Sequence, residues 1–135
     1  MSLLVWSNMF AVGVKEIDDQ HKKLVDLANK LNDEMAAGRG KEVLGRILSD
    51  LISYTQYHFA TEEKLMKQHS YAQAAGHMEQ HKQLVATVAE LKKKYDKGEA
   101  TLTGEVMTFL RDWLTKHILN TDKAFGRDLN AKGVK

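Results

Sequence analysis

Residues 41–68 read KEVLGRILSDLISYTQYHFATEEKLMKQ. Leu44, Leu48, Leu51, Thr55, His58, Glu62 and Leu65 recur along this stretch at steps of four and three. That spacing lays side chains along one stripe of an α-helix, and a stripe so rich in leucine is the buried seam of a helical bundle. The seam changes character halfway: its later part carries a histidine and a glutamate, types that are rarely buried without a partner.

The flanking sequence repeats the pattern. Gly38-Arg39-Gly40 closes an earlier helix that runs to about Ala37 and turns Leu24, Ala28, Leu31 and Met35 to one face. Asp18 or Asp19 is the expected cap at its start. Ser70 and Gly76 flank a short break. A third helix then runs to about Lys97, where Gly98 stops it, with His77, His81, Leu84, Val88, Leu91 and Tyr95 on its seam. A fourth occupies roughly residues 102–129 around Val106, Leu110, Trp113 and His117, with Gly104 marking a possible start. Short connections make consecutive helices antiparallel neighbours. The expected fold is all-α, an up-down-up-down antiparallel four-helix bundle. Residues 1–17 are apolar but aperiodic, and Trp6, Phe10, Val12, Val14 and Ile17 suit an extended N-terminal arm packed across the bundle. The expected organisation is one domain over residues 1–135: an arm at 1–17, the bundle at 18–129 and a frayed tail at 130–135.

Composition narrows the function. The 135 residues contain no proline, which suits long uninterrupted helices. They contain no cysteine, which excludes disulfides, thiolate ligands and a cysteine nucleophile, and fits a cytoplasmic location. Lys+Arg number 20 against 18 Asp+Glu, interspersed along the chain, so no nucleic-acid footprint is indicated. The run Lys92-Lys93-Lys94 reads as a solvated face. The N-terminus lacks a basic region and a long apolar stretch, so neither a signal peptide nor membrane insertion is expected.

Five of the six histidines fall into a pattern with two carboxylates: His21, His58-x-x-x-Glu62, His77-x-x-x-His81 and His117-x-x-x-x-Asp122. Imidazole nitrogens and carboxylate oxygens bind divalent first-row metals. Seven ligands exceed what one ion needs and suit two ions sharing bridging carboxylates. Residues four apart on a helix differ by about 40° and share a face, which the second and third pairs satisfy. In an up-down-up-down bundle, the starts of the first and third helices lie beside the ends of the second and fourth. All seven ligands then sit towards one end of the bundle. Metal coordination also removes the cost, on the order of several kcal/mol, of burying an unpaired charge. His117 and Asp122 are the exception, because five residues separate them by about 140° on a regular helix. Either a π-type turn brings them to one face or Asp122 reaches around. His69 lies outside the pattern near a helix end, where a basic residue complements the dipole. Glu63 reads as solvent-facing, and Gln20 as a neighbour of the ligands that nothing in the sequence requires.

With the arm at Trp6, Ile17-Asp18-Asp19-Gln20-His21-Lys22, His58-Phe59-x-x-Glu62-Glu63, His77-x-x-x-His81 and Trp113-Leu114-x-x-His117-Ile118-x-x-x-Asp122, the sequence resembles the hemerythrins, specifically the single-domain bacterial hemerythrins. The likeness covers nearly the whole chain; Phe125 departs from a tyrosine expected near that position. The resemblance implies two non-haem iron ions with an oxo or hydroxo bridge that bind O2 reversibly. His77, His81 and His117 would hold one iron, His21 and His58 the other, and Glu62 and Asp122 would bridge them. O2 would bind at the five-coordinate iron and be held as hydroperoxide. Phe59, Trp113, Leu114 and Ile118 surround ligand positions and would line the O2 pocket.

The expected role is oxygen storage, transport or delivery, with an oxygenase or another O2-consuming enzyme as a partner, and the protein is not expected to be an enzyme. An O2 or NO sensor, or a di-iron oxidase or peroxidase, would use the same site. The ferritin-like class uses Glu-x-x-His pairs, yet the residues three before each histidine are Asp18, Thr55, Met66, Ala74, Met78 and Leu114. A structural zinc site needs four ligands, fewer than the seven here. No appended signalling domain is read in the sequence, and a start at Met1 suggests a complete protein, so storage or delivery is expected over sensing.

Overall fold

The computed structural model describes residues 3–135; the expectation resting on Met1, and the first two residues of the arm, lie outside them. Four helical rods form the bundle. They are α1 (Lys15–Ala36), α2 (Lys41–Gln68), α3 (Ala74–Asp96) and a fourth made of α4 (Gly104–Lys116), a π-helical segment (His117–Asp122) and α5 (Lys123–Ala131). Among the described residues there is no strand, and no helix is long and apolar enough to cross a membrane. α2 packs against both α1 and α3, and α1 also packs against α4. The all-α four-helix architecture read from the seams is the one observed.

Several boundaries differ from expectation, each for a local reason. α1 starts at Lys15, one turn early, with Val14 before it and no side-chain cap. Asp18 instead turns back to the arm and accepts the Val12 N–H at 2.7 Å. Asp19 pairs with Lys15 on the surface at 2.6 Å. The break after α2 ends at Gln73, so Gly76 lies inside the first turn of α3. Gly104 does open its helix, and Thr103 caps it by accepting the Val106 N–H at 3.2 Å. At the C-terminus Asn130, within α5, donates to the carbonyls of both Gly13 and Val134, and the Val134 N–H donates to the Leu129 carbonyl.

The apolar interior is divided in two. One cluster fills the bundle between Leu24, Leu31, Leu48, Leu51, Leu84, Val88 and Leu110. The other gathers the arm residues Leu4, Phe10, Val12 and Val14 onto Ile17, Val25, Met66, Ile118, Phe125 and Leu129. Leu4 and Asn29 lock the arm down with reciprocal hydrogen bonds of 2.9 and 2.7 Å. The ligand-type residues identified in the sequence occupy the layer between the two clusters.

Beside this second cluster, Gly126 of α5 lies against the backbone of the arm at Val12. A Cβ there would lie 2.2 Å from the Val12 carbonyl oxygen. Alanine is the better helix former by about 1 kcal/mol, but here it must displace arm backbone. Gly126→Ala is expected to destabilise the fold by about 2 kcal/mol and lower Tm by roughly 6 °C. Thermal unfolding followed by circular dichroism checks this; a Tm at or above that of the parent would show that the arm yields freely.

Candidate metal centre

Each rod delivers its share of the layer from a turn next to a leucine-rich stretch. His21 comes from the start of α1, His58 and Glu62 from the later half of α2, His77 and His81 from the start of α3, and His117 and Asp122 from the two ends of the π-helical segment. All seven are buried. The π segment answers the spacing problem. Its wider turn brings residues five apart onto one face, and His117 Nε2 lies 3.0 Å from Asp122 Oδ1.

The carboxylates divide their oxygens in a definite way. Glu62 Oε1 faces His81 at 3.0 Å and His77 at 3.5 Å, while its Oε2 faces His58 at 3.4 Å and His21 at 3.7 Å. Asp122 Oδ1 faces His77 at 2.9 Å and His117 at 3.0 Å, and its Oδ2 faces His21 at 3.0 Å. Two overlapping groups result: Glu62, His77, His81, His117 and Asp122 in one, and His21, His58, Glu62 and Asp122 in the other. Despite these short distances, none of the five inward Nε2 atoms or the four carboxylate oxygens has a hydrogen-bond partner among the described residues. Nine buried polar atoms that crowd together without hydrogen bonds would be very costly in an ordinary core. Their donor types and their two-group division fit metal ions.

The outward ring nitrogens are treated differently. His58 Nδ1 lies 2.7 Å from Gln20 Oε1, His117 Nδ1 lies 2.9 Å from Gln80 Oε1, and His81 Nδ1 lies 3.0 Å from Glu63 Oε2. An acceptor on Nδ1 fixes the tautomer that leaves the Nε2 lone pair facing inward. Gln20 thus has the supporting role its position allowed. Glu63 is half-buried against a site histidine, which corrects its reading as a solvent-facing residue. Gln80 was missed; its place beside His81 and one turn after His77 was the only sequence signal. His69 ends α2 and takes no part in the cluster; its carbonyl accepts from Lys132 Nζ at 2.5 Å.

Charge organises the layer when no metal is bound. Burial alone would lower the His21 and His77 imidazoles, but the Asp122 and Glu62 carboxylates beside them outweigh it and hold them up at about 10 and about 9. Burial alone would raise Glu62, but His58, His21 and His77 around it keep its carboxyl well below the ordinary range. Burial and the facing Glu62 likewise oppose ionisation of Asp122, yet His117 and His21 hold it below its usual value.

Aromatic and apolar residues close the layer. Phe59 stacks on His81 with ring centroids 3.7 Å apart, and Trp113 stacks on His117 at 4.4 Å. Phe125 meets His77 edge-on at 5.6 Å and is fully buried, with no hydroxyl to satisfy. Towards the bundle core, Leu24 and Leu84 lie three residues after His21 and His81, and Thr55 and Leu114 three before His58 and His117. With Leu48, Leu51, Ile52, Val88 and Leu110 they enclose a cavity of about 20 Å³. Of the four residues expected around an O2 pocket, Leu114 lines this cavity. Phe59 and Trp113 cover ligand rings, and Ile118 packs into the arm-side cluster.

A family model described as the hemerythrin HHE cation binding domain matches residues 12–128, nearly the whole chain and every one of the seven clustered residues. The chain belongs to the hemerythrin family. Its similarity to the bacteriohemerythrin of Methylococcus capsulatus (Bath) is 41% identity over 132 residues, covering 97% of this chain and 100% of that protein. The bacteriohemerythrin of Pseudomonas aeruginosa PAO1 is 34% identical over 127 residues, covering 93% and 80% of the two chains. Among solved structures, a wild-type hemerythrin superposes with a TM-score of 0.90 at 40% identity, covering 95% of this chain and 98% of the other. An L114A mutant of hemerythrin superposes with a TM-score of 0.91 at 39% identity, covering 96% and 98%. The hemerythrin fold and a histidine–carboxylate cluster able to hold metal are therefore both present.

Proposed function

We propose that this chain, as a single hemerythrin-like domain, binds O2 reversibly at a pair of non-haem iron ions, for storage, transport or delivery. The observation that carries the reading is the division of each carboxylate, one oxygen towards His77, His81 or His117 and the other towards His21 or His58. On this reading His77, His81 and His117 hold one ion, His21 and His58 the other, and Glu62 and Asp122 serve both. When bound there, two iron ions would supply the electrons for reversible O2 binding.

The protein's own part is to hold and shield. Gln20, Glu63 and Gln80 keep three imidazoles in the inward-facing tautomer. Phe59 and Trp113 block the flanks of the site. The small leucine-lined cavity lies in the bundle core one helical turn from ligand positions, through Leu24, Thr55, Leu84 and Leu114, and its walls are almost wholly apolar. The Thr55 hydroxyl donates to the Leu51 carbonyl at 2.7 Å, so even the polar member of that wall has its proton occupied. Five neutral imidazoles and two shared carboxylates favour binding over the carboxylate-rich chemistry of oxidases, so the reading is of a carrier and not an enzyme.

The test is a visible spectrum of the anaerobically reduced iron protein, recorded before air, in air, and after O2 is removed. A charge-transfer band that appears in air and disappears on deoxygenation is expected. A band that never reverses, or no band, would overturn the carrier reading. In the same experiment Leu114→Asn is expected to hasten irreversible loss of the oxygenated spectrum about tenfold, a change of roughly 1.4 kcal/mol in barrier. An unchanged rate would remove Leu114 from the shielding wall.

A further inference from the structure

Glu62 and Glu63 are consecutive carboxylates on α2, and both reach His81. Glu62 Oε1 lies 3.0 Å from the inward Nε2, and Glu63 Oε2 lies 3.0 Å from the outward Nδ1. Phe59, stacked within 5° of parallel, fixes the plane of the same ring. Glu63 sits at the rim of a groove between α2 and α3, its side chain 32% exposed, while the imidazole it touches is buried. The other outward contacts are neutral. His58 and His117 meet the amide oxygens of Gln20 and Gln80, and the Nδ1 atoms of His21 and His77 have no partner among the described residues.

We propose that Glu63 is a positioning residue that makes the two halves of the metal site unequal, raising the metal affinity of the three-histidine half alone. An amide oxygen on Nδ1 orients an imidazole but brings no charge. A carboxylate orients it and also pushes electron density towards Nε2, making the ring a stronger donor. His81 belongs to the group with His77 and His117 and not to the group with His21 and His58. The effect therefore falls on one half. The inference rests on the two-ion reading above, and it makes the three-histidine half the first to fill.

The test uses the full-length metal-free protein titrated with Co2+ at fixed pH, followed by calorimetry and by the NMR lines of the imidazole N–H protons in the Co2+-loaded form. The parent is expected to take up two equivalents with unequal affinities. Glu63→Gln keeps an acceptor but removes the charge. It is expected to weaken the tighter step about tenfold, the low end for partners of ligating histidines given the partial exposure of Glu63, and to leave the weaker step unchanged. The His81 Nδ1–H line is expected to move while those of His58 and His117 stay. Glu79→Gln removes an exposed carboxylate from the same groove that contacts no histidine, and is expected to match the parent. An unaltered isotherm and N–H spectrum in Glu63→Gln would overturn the proposal, as would an equal loss at both steps. A parent that takes up fewer than two Co2+ ions would instead overturn the two-ion reading, and the proposal with it.

Discussion

Replacing Asp122 with alanine is expected to cost the protein both metal ions, whereas replacing His58 with alanine is expected to cost only one. Asp122 stands in both ligand groups, with Oδ1 beside His77 and His117 and Oδ2 beside His21. Its removal takes a ligand from each half and also one of the two buried charges available to balance the ions. His58 stands in one group only, and its loss leaves Glu62, His77, His81, His117 and Asp122 together. Loss of even a supporting partner typically weakens a site 10- to 100-fold, so loss of a ligand shared by two ions is expected to exceed about 100-fold at each. Metal content by elemental analysis after desalting distinguishes the two variants. Equal retention by Asp122→Ala and His58→Ala would show that the carboxylate is not shared.

Stripping the metal is expected to destabilise the fold, and the loss is expected to grow with pH. In the metal-free protein His21 and His77 are held up at about 10 and about 9, above the unperturbed 6.5. The stabilisation from their protonation is complete below pH ~6.5 and is lost as pH rises through 9 and 10. Glu62 and Asp122 are held low. Their contribution is present above pH ~4.5 and is lost as pH falls below it. The metal-free chain is therefore most stable at about pH 4.5–6.5. Metal binding requires neutral imidazoles and releases their protons, so its contribution rises over the range where the metal-free protein weakens. At a free metal concentration about 1,000 times Kd the ions add about 4 kcal/mol, or roughly 10–15 °C in Tm for a chain of this size. Urea unfolding of both forms at pH 6 and pH 9 measures the difference. Parallel stability curves would refute the linkage.

The parts of this protein legible in its sequence are those that depend on one helix at a time. A seam such as Leu44, Leu48, Leu51, Thr55, His58 and Glu62 obeys the helical period, which says which side chains point inward whatever they meet. Short connections then decide which ends lie together. That suffices for the bundle and for the convergence of five histidines and Glu62. Asp122 was harder, because a regular helix turns it away from His117. The π-helical segment that returns it to the site is visible in the sequence only as a spacing that fails to fit.

What the tertiary structure alone decided depends on the rotation and axial offset between elements, which no single period encodes. Glu63 follows an inward residue and by periodicity should face water; the offset of α3 against α2 places His81 Nδ1 within 3.0 Å of it. Gln80 becomes a partner of His117 only because the fourth rod passes α3 at that level. Asp18 has a side chain suited to capping, but the path of the arm gives it the Val12 N–H instead. Gly126 carries no pattern at all, and its role follows from the Val12 carbonyl lying where a Cβ would be. Sequence by itself determined the four rods and the inward-facing course of five histidines and Glu62, because amphipathic periodicity is a property of a lone helix; Asp122 joined them only through the π-helical turn. The partners that orient those residues, and the contact that seals the arm, came from packing, because hydrogen bonds and close approaches are set by distances of a few ångströms between segments far apart in the chain.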